Sequence, residues 1–367
     1  GPDVAAFEQA YCAYTGASHA IAMATGSVTL DAALHVLGLE SGDEVIVTPR
    51  SFIASASAVL LAGGIPVFAD VDRDSQNITA ESIAPLIGPR TRGIIPVHLA
   101  GWPAAMAAIL DLARAHGLWV IEDCAQAHGA MIDAQHVGTM GDFGSFSFCQ
   151  DKIISTGGEG GLLLTDDDDL WNRAWSFKDH GKDRDRVFAQ DHPPGFRWLH
   201  DAGPGTNLRM TGLSAAIGRL QLAQLDDWRA HRTANARILA ETLGRSSAFR
   251  IPLPPDGLTH AYYRFYAFLR PEALASDWSR ERIMAEIAAA GYPISSGSCG
   301  EIYREGTFTR RGIGPDQPLP VARELSETSL AFLTDPTWSP ERTASLAELV
   351  VSVADRAVSR TGARAGA

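Results

Sequence analysis

A chain of 367 residues exceeds what one small core needs, and about two domains is the natural division. Its 46% hydrophobic and 20% charged residues, with 35 glycines and 20 prolines spread throughout, fit a globular α/β protein and exclude a disordered or fibrous one. A formal charge of −12 tells against non-specific binding to nucleic acid or anionic membrane, which need a basic face, while leaving room for an anionic substrate in a local pocket.

Cys12, Cys124, Cys149 and Cys299 lie far apart and without metal-ligand spacing, so neither a structural zinc site nor a disulfide framework is expected. No apolar run approaches the roughly 20 residues that span a bilayer, and the N-terminus lacks the charged-then-apolar order of a signal peptide. A soluble, cytoplasmic protein without nucleic-acid or membrane partners is the expectation. Gly1-Pro2 has the look of a cloning scar, which leaves open natural residues upstream.

Residues 3–14 read as a helix with Asp3 as its N-cap and Val4, Phe7 and Tyr11 on one face. Residues 19–23 are a short strand, followed by Ala24-Thr25-Gly26-Ser27-Val28-Thr29-Leu30 and apolar residues at helical spacing up to Leu37. A strand, a Gly-Ser turn and a helix start place free backbone N–H groups around one point, which suits a phosphate. Capping by Ser27 accounts for the same residues and, alone, is the simpler reading.

The alternation continues with a strand at 45–48, a helix at 53–61, and strands at 66–69, 93–97 and 118–122, the last two separated by a helical stretch at 104–116. Strands at 145–148 and 161–165 bring the sheet to about seven members, mainly parallel, with helices on both faces. Residues 211–244 read as long helical structure joining two domains. Beyond it, an aromatic strand at 261–269 and helices at 279–290, 326–333 and 340–357 make a smaller α+β domain. The expected division is a large domain over 1–240 and a small one over 241–367.

Ligands of such open sheets bind beyond the carboxyl ends of the strands, where Asp123 stands; a helix cap or a salt bridge would also explain a lone aspartate there. Lys152 follows the apolar Phe146-Ser147-Phe148 and precedes Gly157, Gly158, Gly160 and Gly161, an odd place for a solubilising charge. Amines used in covalent chemistry occupy such places, because desolvation disfavours the ammonium form and frees the lone pair to attack a carbonyl carbon. An exposed loop lysine explains this stretch about as well. Taken together, the amine, the strand-end carboxylate, the Ser147 hydroxyl and the helix start at Gly26, Ser27 and Val28 meet the needs of pyridoxal 5′-phosphate: a Schiff-base partner, a carboxylate that keeps the ring nitrogen protonated, and a phosphate anchor.

In residues 24–28, 42–47, 66–72, 121–129 and 205–211, and in Phe146-Ser147-Phe148 with Lys152 and Gly158-Glu159-Gly160-Gly161, the chain resembles the DegT/StrS family of sugar aminotransferases, which are fold-type I pyridoxal phosphate enzymes. The resemblance covers nearly the whole chain. It implies Lys152 as Schiff-base lysine and proton shuttle, Asp123 paired with the pyridine nitrogen, and Gln126 against the ring. It further implies that Gly26, Ser27, Val28 and Ser147 hold the phosphate, that Asn207 reaches it from the other subunit of a homodimer, and that Phe52 lines the cofactor and sugar side. From the chain alone, Asn207 reads equally as a cap for the helix near Thr211. His128 has no role in the pattern and reads as structural. Two departures stand out: Thr206 precedes the asparagine where relatives often carry an aromatic residue, and beyond Tyr292-Pro293 the segment 295–303 leaves the usual pattern. Ser298 and Glu301 of that segment are expected at the substrate.

The activity implied is transfer of an amino group, from glutamate, onto the keto group of a nucleotide-activated deoxysugar or related keto-sugar, through pyridoxamine 5′-phosphate. A few relatives lack the lysine and use that cofactor form to remove a sugar hydroxyl, so Lys152 tells against a dehydratase. A non-catalytic ligand sensor on the same fold is the remaining alternative, and a complete cofactor set tells against it.

Overall fold

The computed structural model describes residues 1–189 and 199–358. Its central sheet has seven strands: β1 (His19–Met23), β2 (Glu44–Val47), β3 (Ile65–Phe68), β4 (Thr91–Ile95), β5 (Trp119–Asp123), β6 (Phe143–Ser147) and β7 (Gly161–Thr165). Their order is β1-β7-β6-β5-β4-β2-β3. Strand β7 runs antiparallel to both neighbours and every other pair is parallel, so the mainly parallel, seven-stranded expectation holds.

Around the sheet lie α1 (Pro2–Thr15), α2 (Gly26–Val36), α3 (Ala54–Leu61), α4 (Met106–His116), α5 (Asp168–Lys178) and α6 (Gly212–Leu222). The period of two along the strands decides which helices each residue meets. Ala20, Ala22, Leu162 and Leu164 share a core with Phe7 and Tyr11 of α1 and Ala215 of α6. Their neighbours Ile21, Met23 and Leu163 point the other way and share a core with Leu30 of α2, Val59 of α3 and Ala174 of α5. Strands buried on both faces have no room for polar alternation, which is why Val45-Ile46-Val47 and Leu162-Leu163-Leu164 are continuous apolar runs.

A second sheet follows, with β8 (Phe249–Arg250), β9 (Phe265–Leu269) and β10 (Ser329–Phe332) antiparallel in that order. It is backed by α7 (Leu225–Leu243), α8 (Arg280–Ala289) and α10 (Pro340–Ala357), whose Leu239, Ile283 and Val350 bury against Phe265 and Phe332. Helix α9 (Pro320–Thr328) lies between the two sheets, where Ala322 and Leu325 share a cluster with Ile46, Ile94, Tyr266 and Ala331.

Several sequence expectations are corrected. Residues 326–333, expected as a helix, hold the end of α9 and then β10; Leu330-Ala331-Phe332 is a short apolar run whose period is ambiguous, and pairing with β9 makes it a strand. The aromatic strand expected from 261 starts only at Phe265, because Tyr262 sits at φ 46 and the N–H groups of Ala261 and Tyr263 go to the carbonyls of Gly101 and Ala100 instead of a ladder. The stretch 211–244 is two helices, broken at residues 223–224. Asp3 lies inside the first turn of α1, behind an N-cap at Gly1.

Candidate active site

The carboxyl ends of β1, β5 and β6 converge on a cavity of about 440 Å³ lined by Gly26, Ser27, Phe52, Asp123, Gln126, Ser147 and Lys152, among others. These residues span 127 positions of sequence, and parallel strand order is what brings them to one edge.

Helix α2 presents its first turn to this cavity. Its cap is Thr25, whose Oγ1 accepts the Val28 N–H at 3.3 Å, so the expectation that Ser27 might be no more than a cap is corrected. Gly26 and Ser27 occupy the first two helical positions, where backbone N–H groups have no partner within the helix, and Ser27 is exposed. Val28, expected beside them, spends its N–H on the cap and does not line the cavity. A Cβ on Gly26 would stand 2.5 Å from that of Ser147, and one on Gly161 would stand 2.1 Å from the Thr25 carbonyl oxygen. Only glycine lets the helix start close onto β6 and β7, and that closeness sets Ser27, Ser147 and the positive helix end on the wall of one cavity. The cradle fits a phosphate.

Asp123 ends β5 and is 5% exposed. Oδ2 accepts the Ser55 hydroxyl at 2.7 Å and Oδ1 the Ala125 N–H at 3.1 Å. Burial raises the pKa of this carboxyl above its ordinary value; the two hydrogen bonds and the Lys152 charge only partly offset it. Among the described residues it caps no helix and makes no ion pair, so a cationic N–H ligand is the partner its position suits. Ser55 had no signal in the sequence: it is one serine of an Ala-Ser-Ala-Ser run, and only the turn of α3 onto β5 gives it this role. Gln126 is held by the Ala100 N–H, which donates to its side-chain oxygen at 2.8 Å.

Lys152 stands on the excursion between β6 and β7, in a turn closed by its N–H to the Cys149 carbonyl at 3.0 Å; Gly157 and Gly158, at φ 87 and 144, bring the chain back. Its side chain is 14% exposed, with Nζ 3.4 Å from Asp151 Oδ1 and 5.1 Å from the centre of the Tyr263 ring. The Tyr263 hydroxyl donates to Asp151 Oδ2 at 2.6 Å. Burial opposes the charge on Asp151, but the Tyr263 hydroxyl and the Lys152 ammonium outweigh it and hold the carboxyl below its ordinary pKa. Asp151 and Tyr263 were missed from sequence because their contact joins residues 112 apart, with no local pattern to mark it.

Behind the cavity, His128 is fully buried between the Tyr11 hydroxyl at 2.8 Å and the Ser147 carbonyl at 2.7 Å. A carbonyl can only accept, so Nε2 carries the proton and Nδ1 takes the tyrosine hydroxyl. Burial lowers its pKa to about 4, so it is neutral and holds Ser147 in place. His98, Glu122 and Cys124 form a second buried group of close ligand atoms. Its nitrogens and oxygens are committed to protein: Glu122 accepts from His98 and from the N–H groups of Gly138, Met140 and Gly141, and His98 Nδ1 accepts from the Ala104 N–H.

A second cavity of about 320 Å³ adjoins the first, sharing Phe52, Gln126, Asp151 and Lys152 and adding Tyr263, Arg264 and Ser298. Ser298 is fixed there by its N–H to the Tyr266 hydroxyl at 2.9 Å. Glu301, expected beside it, lines neither cavity; it is buried, and its carboxylate takes the Tyr303 hydroxyl and the Arg304 guanidinium. Asn207 is exposed and also lines neither cavity. Thr211 caps α6 by accepting the Ser214 N–H at 3.1 Å, so the cap alternative for Asn207 is removed.

Known proteins match this chain along its length. Residues 1–351 fit the model of the DegT/DnrJ/EryC1/StrS aminotransferase family. A UDP-N-acetyl-3-dehydro-alpha-D-glucosamine 3-aminotransferase of Acidithiobacillus ferrooxidans is 35% identical over 346 residues, 94% of this chain and 87% of its own. A solved aminotransferase structure from Psychrobacter cryohalolentis superposes with a TM-score of 0.95 at 45% identity, covering 97% of this chain and 92% of the other. NtdA of Bacillus subtilis, solved with bound cofactor PMP, superposes with a TM-score of 0.84 at 25% identity, over 97% and 78%. With the phosphate cradle, the buried carboxylate and the lysine on one cavity, and a family match over nearly all its length, this chain belongs to the DegT/DnrJ/EryC1/StrS family and is a pyridoxal phosphate-dependent aminotransferase.

Proposed function

We propose that the enzyme transfers the amino group of glutamate to the keto carbon of a nucleotide-activated sugar. One observation carries this reading: Lys152 stands where two cavities meet, one shaped for the cofactor and one opening beside it with room for a second, polar ligand. The Acidithiobacillus relative, named for a UDP-linked dehydro-sugar, supports that class of acceptor.

When bound, pyridoxal phosphate supplies a carbonyl that takes up the donor's nitrogen and a ring that stores electrons. Gly26, Ser27 and Ser147 would hold its phosphate, Asp123 the proton on its ring nitrogen, and Gln126 one side of the ring. Lys152 is the proposed amine and proton carrier, with Asp151 and Tyr263 fixing where it rests. Phe52 and Ser298 belong to the sugar side.

The proposal includes a homodimer with shared sites. Leu213 and Leu220 are 75% and 74% exposed on α6, and with Ile217 they make an apolar stripe at helical spacing beside the Lys152 loop, whose Ser155 N–H bonds to Gln221 of the same helix at 2.8 Å. The stripe is the face a second copy would cover, and the family resemblance assigns that copy's Asn207 to each site. Incubating the enzyme with nitrogen-labelled glutamate and a panel of nucleotide-linked keto-sugars tests the function. Label in one aminosugar product supports it; label that stays in glutamate with every keto-sugar, while the enzyme moves it onto a keto acid or keto-cyclitol offered in a parallel incubation, overturns it.

A further inference from the structure

We propose that Arg264 is the anchor for the carboxylate of the amino donor. This rests on the donor half of the function above, and it assigns the chemistry of one wall of the second cavity.

The guanidinium of Arg264 is partly buried in that cavity and stacks 4.3 Å from the centre of the Tyr263 ring, while its Nη1 donates to the Tyr263 carbonyl at 3.0 Å. Stacking and one hydrogen bond fix the plane of the group and leave the rest of its planar fork uncommitted. Among the described residues no carboxylate lies within ion-pair distance of it. Asp151, the acid of the same cavity, is engaged by the Tyr263 hydroxyl and by Lys152. The acid that feels its charge from further off, Asp335, is engaged by Arg232 and the Thr337 hydroxyl, so a part-buried guanidinium facing a ligand cavity is left to an oxyanion brought in by the ligand.

Which oxyanion follows from the shared cavity. Lys152 and Arg264 both line this space of about 320 Å³, and each packs by the Tyr263 ring, so the two cations address one small volume. In an α-amino acid the carboxylate is one bond from the carbon that bears the amine, and a group that grips it must stand close to the reacting centre. The diphosphate of an activated sugar sits several bonds from a keto carbon on the ring. The position therefore favours the donor, and the fork matches a carboxylate through two parallel hydrogen bonds.

The test uses the holoenzyme with Arg264→Gln and Arg264→Lys, the latter retaining charge and stem in case the former folds poorly. The glutamate concentration giving half-maximal change in visible absorbance should rise about ten- to hundredfold in R264Q and less in R264K, with reaction of the amine-loaded enzyme with keto-sugar within about twofold of wild type. Glutarate, an unreactive dicarboxylate, should bind the wild type by calorimetry, with or without cofactor, and lose about tenfold or more in R264Q, while inorganic pyrophosphate binds both alike. Unchanged glutarate binding in both variants, or a loss confined to pyrophosphate and the sugar half-reaction, overturns the assignment. Failure of the donor reading itself looks different: the wild-type absorbance would not respond to glutamate, whatever Arg264 does to glutarate.

Discussion

Asp123 is buried, raised in pKa, and held by one hydroxyl and one backbone N–H, a state that an arriving cationic N–H relieves. Asp123→Asn keeps the shape and the Ser55 contact but cannot keep a ring nitrogen protonated. Cofactor should remain bound while turnover falls by about a hundredfold or more; wild-type turnover in the variant would give the ring a different partner. Lys152, Asp123, Gly26 and Ser147 were legible in the sequence because each sits in a short local pattern: a strand end, a glycine turn or a helix start. Ser55, Asp151 and Tyr263 were not, because their value lies in contacts between distant segments. Glu301 was expected at the substrate because the segment 295–303 leaves the family pattern, and that departure said nothing about which way its side chain turns, which is onto Tyr303 and Arg304.

At the scale of elements, the sheet was legible because fully buried strands announce themselves as apolar runs bounded by turns. The same signal misled at 326–333, where the short run Leu330-Ala331-Phe332 carries no period of its own and the partner strand decides. Helix α2 works through its end, with Thr25 closing the cap so that Gly26 and Ser27 face the cavity. In the proposed dimer the exposed stripe of helix α6 would be covered, and Asn207 gives that proposal a test. Mixing Lys152→Ala with Asn207→Ala subunits makes about half the dimers mixed, each with one site free of both changes, so about a quarter of wild-type activity should return if both parents are nearly inactive. A mixture as inactive as its parents would mean that Asn207 serves its own subunit or none.

Across the whole molecule, two buried histidines tie stability to pH. His128 and His260 have pKa values lowered by burial to about 4 and about 3, so the folded chain resists protons that the unfolded chain accepts below about 6.5. Their contribution is complete above about pH 6.5 and is lost as pH falls toward the folded values, at about 2 kcal/mol for each histidine by pH 5. Urea midpoints of the cofactor-free protein should therefore fall steadily from pH 7 to pH 5, and His128→Gln should flatten that slope; a midpoint indifferent to pH in this range would contradict the burial argument. Function rests on a larger-scale fact, that parallel strands gather a cradle, a carboxylate and an amine from distant segments into one cavity. Borohydride reduction of the purified enzyme followed by peptide mass mapping tests that most directly. The account predicts cofactor mass fixed on the peptide that contains Lys152 and on no other, and none fixed in Lys152→Ala; cofactor fixed on another lysine, or turnover surviving in Lys152→Ala, would contradict it.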